Sequence, residues 1–229
     1  MTGAAHGSPR VAVVAIDGPS GSGKSSVARA VAGRLGFLYL DTGAMYRAVG
    51  LLAHEAGVSA DDEEAVLALA LQARLRFDEA GRLFAGPRDV SADIRTLAAG
   101  ELASRVSALP RVRRLLVDWQ RELARERGVV MEGRDIGTNV FPDAAVKVYL
   151  TASPEVRAGR RLRELRAAGA AVSFDDVLAS VIERDRRDTA REVAPLRRAG
   201  DAVLVDTTAM TLEEVIDAVE AVARRVFEQ

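Results

Sequence analysis

The chain has no cysteine, only two lysines and 4% aromatic residues. Without cysteine, disulfides and thiolate metal sites are excluded, and the redox compartment leaves no trace. The two histidines, His6 and His54, are scattered, so a zinc site is not expected. No apolar run approaches the ~20 residues of a membrane span. An excess of one charge is missing as well. Lys and Arg number 32 against 33 Asp and Glu, a formal net charge of −1, which speaks against a general nucleic-acid binder. Because Lys24 and Lys147 are the only lysines, positive charge is arginine almost throughout. An arginine here marks a phosphate contact through its position, not its type.

What is present is 229 residues, 48% hydrophobic and 28% charged, enough for one soluble domain with room for an insertion. Residues 1–9 contain Gly, Ser and Pro and lack an apolar core. They read as a flexible tail and not as a signal peptide, leaving 10–229 as a single domain. A cytoplasmic enzyme is the expectation.

The chain is organised around Gly18-Pro19-Ser20-Gly21-Ser22-Gly23-Lys24-Ser25, which matches the phosphate-binding loop pattern G-x-x-x-x-G-K-[ST]. The apolar, β-branched run Val11–Asp17 before it reads as a buried strand. Ser26–Leu35 after it has helical spacing and is closed by Gly36. Gly18, Gly21 and Gly23 permit turns that a Cβ forbids, so that successive N–H groups converge on phosphate oxygens at a helix N-terminus. Lys24 would reach the β and γ phosphates, and the Ser25 hydroxyl would face a magnesium ion. Such a loop reports nucleotide binding without saying which reaction follows.

Further along, Phe37–Asp41 reads as a strand, and a helix opens at Thr42. Asp41, Thr42, Tyr46 and Arg47 therefore fall at the carboxyl edge of a parallel sheet, where open α/β folds hold ligands. Arg47 is read either as a phosphate partner or as an ordinary exposed helix arginine. Ser59–Ala73 reads as a helix. Residues 75–78 and 82–85 flank a hairpin turn, with a third short strand at 88–91. A hairpin breaks the strand–helix alternation, so 58–96 reads as an inserted subdomain. Asp78-Glu79-Ala80-Gly81 matches the D-x-x-G of GTPase switches, but no N-K-x-D follows anywhere, so the match is read as chance.

Helices are expected over 94–106, carrying Ser104, and from Pro110 to Arg127, carrying Arg113 and Trp119. Val129–Met131 is a short strand leading into the polar run Glu132-Gly133-Arg134-Asp135-Ile136-Gly137. After the strand 146–150, a helix from Pro154 to Ala168 carries Arg157 and Arg161, and a second helix bears Glu183 to Arg191. Arg184, Asp188 and Arg191 stand at i, i+4 and i+7 and share one helical face. That face is either solvated and stitched by ion pairs or part of a lid, 157–191, closing over phosphates. Ala202–Asp206 is the last strand and Thr211–Phe227 the last helix. The fold class is α/β with a five-stranded parallel sheet.

Together the phosphate loop, Asp41-Thr42-Gly43-Ala44-Met45-Tyr46-Arg47, Glu132–Gly137 and Glu183-Arg184-Asp185-Arg186-Arg187-Asp188 resemble the bacterial cytidylate kinase family, a P-loop nucleoside monophosphate kinase family. The resemblance extends through Pro142-Asp143-Ala144 and Val193-Ala194-Pro195-Leu196. It implies ATP- and magnesium-dependent phosphorylation of CMP and dCMP by a three-layer P-loop NTPase fold. An antiparallel-sheet insert would bind the monophosphate, under a short helical lid. It implies ATP contacts at Gly18 to Ser26, with Arg157 and Arg161 as further candidates. Monophosphate contacts are implied at Thr42, Tyr46, Arg47, Ser104, Arg113, Arg134, Asp135, Arg184, Asp188 and Arg191. Lys24, Arg134 and Arg184 are the catalytic candidates. Ser25 is the magnesium candidate, directly or through water. A monomer with small-molecule substrates only is implied. The other readings are a different P-loop small-molecule kinase, such as an adenylate or shikimate kinase, and a nucleotide-dependent switch.

Overall fold

The computed structural model describes residues 12–78, 80–125 and 127–227; the tail expected over 1–9 lies outside them. Strand β1 is Val13–Asp17, buried along its whole length, as its unbroken apolar run requires. Helix α1, Lys24–Leu35, follows the glycine-rich turn and ends at Gly36 in the left-handed conformation. Strand β2, Leu38–Asp41, passes directly into α2, Thr42–Glu55, because the Asp41 carboxylate accepts from the Ala44 N–H and caps the helix. Then come α3, Glu63–Ala73, and the short strands β3, Leu75–Phe77, β4, Leu83–Ala85, and β5, Arg88–Asp89. These three strands pair antiparallel in a sheet of their own.

The second half holds α4, Leu97–Val106, and α5, Pro110–Leu123. After them come β6, Val129–Gly133, β7, Val146–Thr151, and α6, Pro154–Ala167. It ends with α7, Phe174–Ala190, β8, Val203–Asp206, and α8, Leu212–Phe227. The main sheet is parallel with strand order β2-β6-β1-β7-β8. One face, through Val14, Ile16 and Val148, packs on α1 and α8. The other, through Val13, Ala15 and Met131, packs on Val117 of α5 and on Ile136. Alternation along each strand thus builds a three-layer domain. Register places Asp41 beside Glu132, and Asp17 beside Gly133 and Tyr149, at the carboxyl ends of the central strands. Among the described residues, no helix is long and apolar enough to cross a membrane.

Several element ends differ from expectation, each for a local reason. The helix expected from Ile94 is a 3-10 turn over Asp93–Arg95, and α4 starts only after Thr96, whose hydroxyl accepts from Ala99 N–H. Asp62 similarly delays the start of α3 to Glu63. Helix α5 stops at Leu123, short of Arg127. The last two residues of the polar run, Ile136 and Gly137, open a single π turn over Ile136–Val140, a feature common at functional sites.

The glycine-rich turn tolerates no side chain at its first position. Gly18 has φ +149°, and a Cβ there would sit 2.0 Å from the Leu150 carbonyl oxygen. That obstacle is backbone of the central sheet and has nowhere to go. Gly18→Ala is expected to destabilise the protein by about 3 kcal/mol or more, lowering Tm by roughly 6–12 °C. A Gly18→Ala protein melting with the wild type would contradict this geometry.

Candidate active site

The phosphate loop crosses from β1 to α1 with Gly21 at φ 75° and Gly23 at φ 91°. Lys24 is buried, and its ammonium donates to the Pro19 carbonyl at 2.6 Å and to Ser22 Oγ at 3.4 Å. The cation thus rests on the carbonyl of its own loop. Burial holds its pKa well below the usual lysine range, with Arg134 and Arg184 pushing the same way; Glu132 and Asp17 oppose them. A buried lysine beside two arginines is an electrostatic demand for an anion.

Arg157 and Arg161 stand near this loop but in different conditions. The Arg157 guanidinium is buried and donates to the carbonyls of Ala152, at 2.9 Å, and Ser20, at 3.1 Å; it also pairs with Asp185 at 2.6 Å. Its partners make it a brace between the phosphate loop and α7. Arg161 pairs with Glu164 at 2.9 Å and donates to the Arg95 carbonyl at 3.3 Å. Arg160, which sequence reasoning passed over, donates to Thr207 Oγ1 and O at 2.9 and 2.8 Å, fixing α6 to the turn after β8. Leu97, at the start of α4, packs with Ala158, Val177 and Val181 of α6 and α7. A cavity of about 460 Å³ opens beside Ser25 and Ser26, lined also by Arg29, Tyr39 and Arg95.

Opposite the loop, a carboxylate gathers the arginines. Asp188 is fully buried, its oxygens lying 3.0 Å from Arg134 Nε, 3.9 Å from Arg184 Nε and in contact with Arg191. Ser104 Oγ is 3.5 Å away. Burial works to raise the Asp188 pKa, but Arg134, Arg191 and Arg184 together hold it below the usual carboxylate value. Arg184 is pushed down to about 9, by burial first and by the Arg134 charge second. The face Arg184–Asp188–Arg191 is therefore not solvated; it turns inward. Arg134 and Arg184 lie near enough to Lys24 to depress its protonation, and Arg134 does the same to Arg184. The three catalytic candidates thus come together from α1, the loop after β6, and α7.

A second buried pair lies behind them. Arg113, from the first turns of α5, meets Asp135 Oδ2 at 2.5 Å, donates to the Ser107 carbonyl at 3.2 Å and lies 5.7 Å from the Tyr46 ring centroid. Asn139 Nδ2 donates to the same Asp135 oxygen at 3.0 Å. Burial, ahead of the Arg113 charge that opposes it, pushes the Tyr46 phenol up to about 12, so it is a neutral hydroxyl at physiological pH. Thr42 Oγ1 donates to the Glu132 carbonyl at 2.8 Å, and Arg47 pairs with Asp41 at 2.6 Å. Arg47 is thus neither free nor an ordinary surface arginine: an acidic helix cap holds it at the sheet edge.

Two carboxylates at this edge were given no role from sequence. Glu132, buried, accepts from the Tyr39 hydroxyl at 2.6 Å, and the Ser25 side chain acts to lower its pKa. Burial, with the Asp41 charge behind it, raises its pKa. Asp17, also buried, accepts from the N–H groups of Ile136 and Gly137. The sequence did hold a signal for both, since each is an acid ending an otherwise apolar buried strand.

Comparison with known proteins follows the same lines. The family model described as cytidylate kinase matches residues 14–225. A cytidylate kinase of Geobacter sp. (strain M21) is 47% identical over 220 residues, covering 95% of this chain and 94% of its own. One from Carboxydothermus hydrogenoformans is 50% identical over 206 residues, covering 89% of this chain and 93% of its own. Among solved structures, a gluconokinase from Sinorhizobium meliloti 1021 aligns with TM-score 0.48 at 17% identity, covering 95% of this chain and 94% of its own.

Proposed function

The chain belongs to the cytidylate kinase family, and from that premise we propose that it transfers the γ-phosphoryl group of ATP to CMP or dCMP, giving CDP or dCDP and ADP. The observation that carries the site reading is the meeting of Lys24 with Arg134 and Arg184 between the phosphate loop and the Asp188 cluster. Phosphoryl transfer asks for little covalent chemistry from protein; it asks for two polyanions held in line and for charge opposite the moving group. Gly18 to Ser26 hold the ATP phosphates. Arg47, Arg134 and Arg184 hold the acceptor phosphate and the charge that develops as the P–O bond to ADP breaks and the bond to the acceptor oxygen forms. The acceptor phosphate oxygen attacks directly, so no protein nucleophile is needed. Arg157 and Arg161 act from the donor side, Arg157 by shaping the loop. Residues 58–96 serve as the monophosphate-binding insert and 157–191 as the lid.

The residues fit a magnesium ion brought with ATP. Ser25 would offer it a hydroxyl, and the buried Glu132 carboxyl beside Ser25 would offer a hard oxygen on the same side of the loop. A magnesium ion held there would supply charge neutralisation to the ATP phosphates.

Cytosine is read by Asp135, Arg113 and Ser104. Arg113 and Asn139 both meet Asp135 at Oδ2, and Oδ1 is the oxygen that accepts from the exocyclic amine. Arg113 and Ser104 donate to the ring acceptors, and Asp188 and Tyr46 lie toward the ribose and phosphate. Uracil presents an oxygen where cytosine presents the amine, which leaves Asp135 facing a like dipole at ~1–3 kcal/mol. An ADP-release assay over CMP, dCMP, UMP, AMP, shikimate and gluconate tests the reading, with CMP and dCMP expected to lead. Asp135→Ala is expected to lower kcat/KM for CMP about tenfold or more while moving UMP far less. An equal loss on both acceptors would remove Asp135 as base reader, and a lead by AMP or shikimate would remove the cytidylate assignment.

A further inference from the structure

The mechanism above leaves the buried Asp17 carboxyl unused. Asp17 is the last residue of β1 and the residue before Gly18, 5% exposed. Its Oδ1 accepts from Ile136 N–H and its Oδ2 from Gly137 N–H, both at 2.8 Å. Those two amides open the π turn immediately after Arg134 and Asp135. Gly137 is close-packed here, since a Cβ would lie 3.2 Å from the Lys147 side chain and 3.5 Å from Asp17 Oδ2. One carboxylate thus ties the root of the donor loop to the turn that carries the acceptor-binding residues.

That placement is electrostatically unfavourable for the fold. Burial pushes the Asp17 carboxyl up to about 6, even though the Gly137 and Ile136 amides pull it down; Asp135 raises it further and Lys24 lowers it. The sign follows from linkage. A carboxyl whose folded pKa lies above its unfolded one subtracts stability at neutral pH, and the loss disappears as pH falls from about 6 toward the unfolded value. Tyr149 on β7 faces the same carboxylate and does not offset the burial. A fold needing only an acceptor at this point would be served by a neutral side chain. A carboxylate, with both oxygens aimed at consecutive amides, fixes the turn more tightly than one neutral acceptor does.

We propose that Asp17 is a positioning residue for acceptor specificity: by clamping the Ile136 and Gly137 amides, it sets the Arg134-Asp135 turn in register with the phosphate loop, and so fixes where the cytosine edge and the acceptor phosphate meet the donor. It touches neither substrate. The inference rests on the acceptor-site reading above.

The test is Asp17→Asn in the full chain, which keeps shape and one acceptor but turns an N–H donor toward one of the two amides. KM and kcat are measured separately for ATP, CMP and UMP, together with Tm. The expected result is a KM for CMP raised about tenfold, a CMP:UMP preference lowered at least about fivefold, an ATP KM within about twofold of wild type, and an unchanged or higher Tm. Asp17→Ser, which also retains one acceptor, is run in parallel and is expected to give the same ordering. An unchanged CMP:UMP preference in a folded variant would overturn the proposal, as would an ATP KM rising with that of CMP. Failure of both variants to fold would overturn it too, by making Asp17 a determinant of the fold. If the wild-type protein itself does not prefer CMP over UMP, the acceptor-site reading has failed, and that outcome is distinct from a preference that survives the substitution.

Discussion

Lys24→Ala is expected to abolish measurable turnover while leaving the protein folded. The ammonium is the one lysine charge at the phosphate loop, and it sits beside Arg134 and Arg184 in a buried setting. There a charge is worth more against a developing phosphoryl charge than in water. Loss of one such donor costs about 10²–10³ in kcat, and the lysine also helps hold the ATP phosphates, so kcat/KM falls further. The fold does not depend on it in the same way. Its ammonium donates to Pro19 and Ser22 within the loop, and burial already disfavours its charged form. Steady-state ADP release, read beside Tm and circular dichroism, checks this; activity within tenfold of wild type would refute the ATP-site assignment.

Asp188→Ala is expected to have the largest combined effect on stability and acceptor binding. The carboxylate is the shared counter-charge for Arg134, Arg184 and Arg191, none of which is freely exposed. Removing one partner of a buried ion cluster leaves like charges facing one another, at about 3 kcal/mol, or roughly 6–12 °C of Tm in a chain this long. Because the folded Asp188 pKa lies below the unfolded one, its contribution is present above the unfolded value. It is lost as pH falls through the folded value, so wild type and variant converge in stability only in strong acid. The variant should regain part of its Tm with millimolar CMP or inorganic phosphate, since an anion replaces the missing charge. A Tm equal to wild type without ligand would sink the account of Asp188 as organiser of the cluster.

The element pattern was legible in sequence wherever local physics decides. Apolar β-branched runs gave the five parallel strands, and Gly36 gave the end of α1. The alternation around the turn at 78–81 gave the small antiparallel sheet. Boundaries went astray where a side chain competed for a helix start, as Thr96 does at α4 and Asp62 at α3. The π turn at Ile136–Val140 was illegible, because its first amides answer to Asp17, over a hundred residues earlier.

By itself the sequence determined the chemistry on offer: a phosphate-binding turn after a buried strand, a family likeness carried by four motifs, and arginines at fixed helical spacing. Only the tertiary structure decided what each charge faces. Spacing put Arg184, Asp188 and Arg191 on one face but left open whether that face met water. Packing of α7 against Arg134 and Ser104 turned it inward. Arg47 and Arg157 were phosphate candidates from their places in the chain, and packing decided which carboxylates they meet, Asp41 and Asp185. The reason is physical: helix and strand propensities act over a few residues, whereas the field at a buried charge is set by groups that chain-crossing contacts bring within a few ångströms.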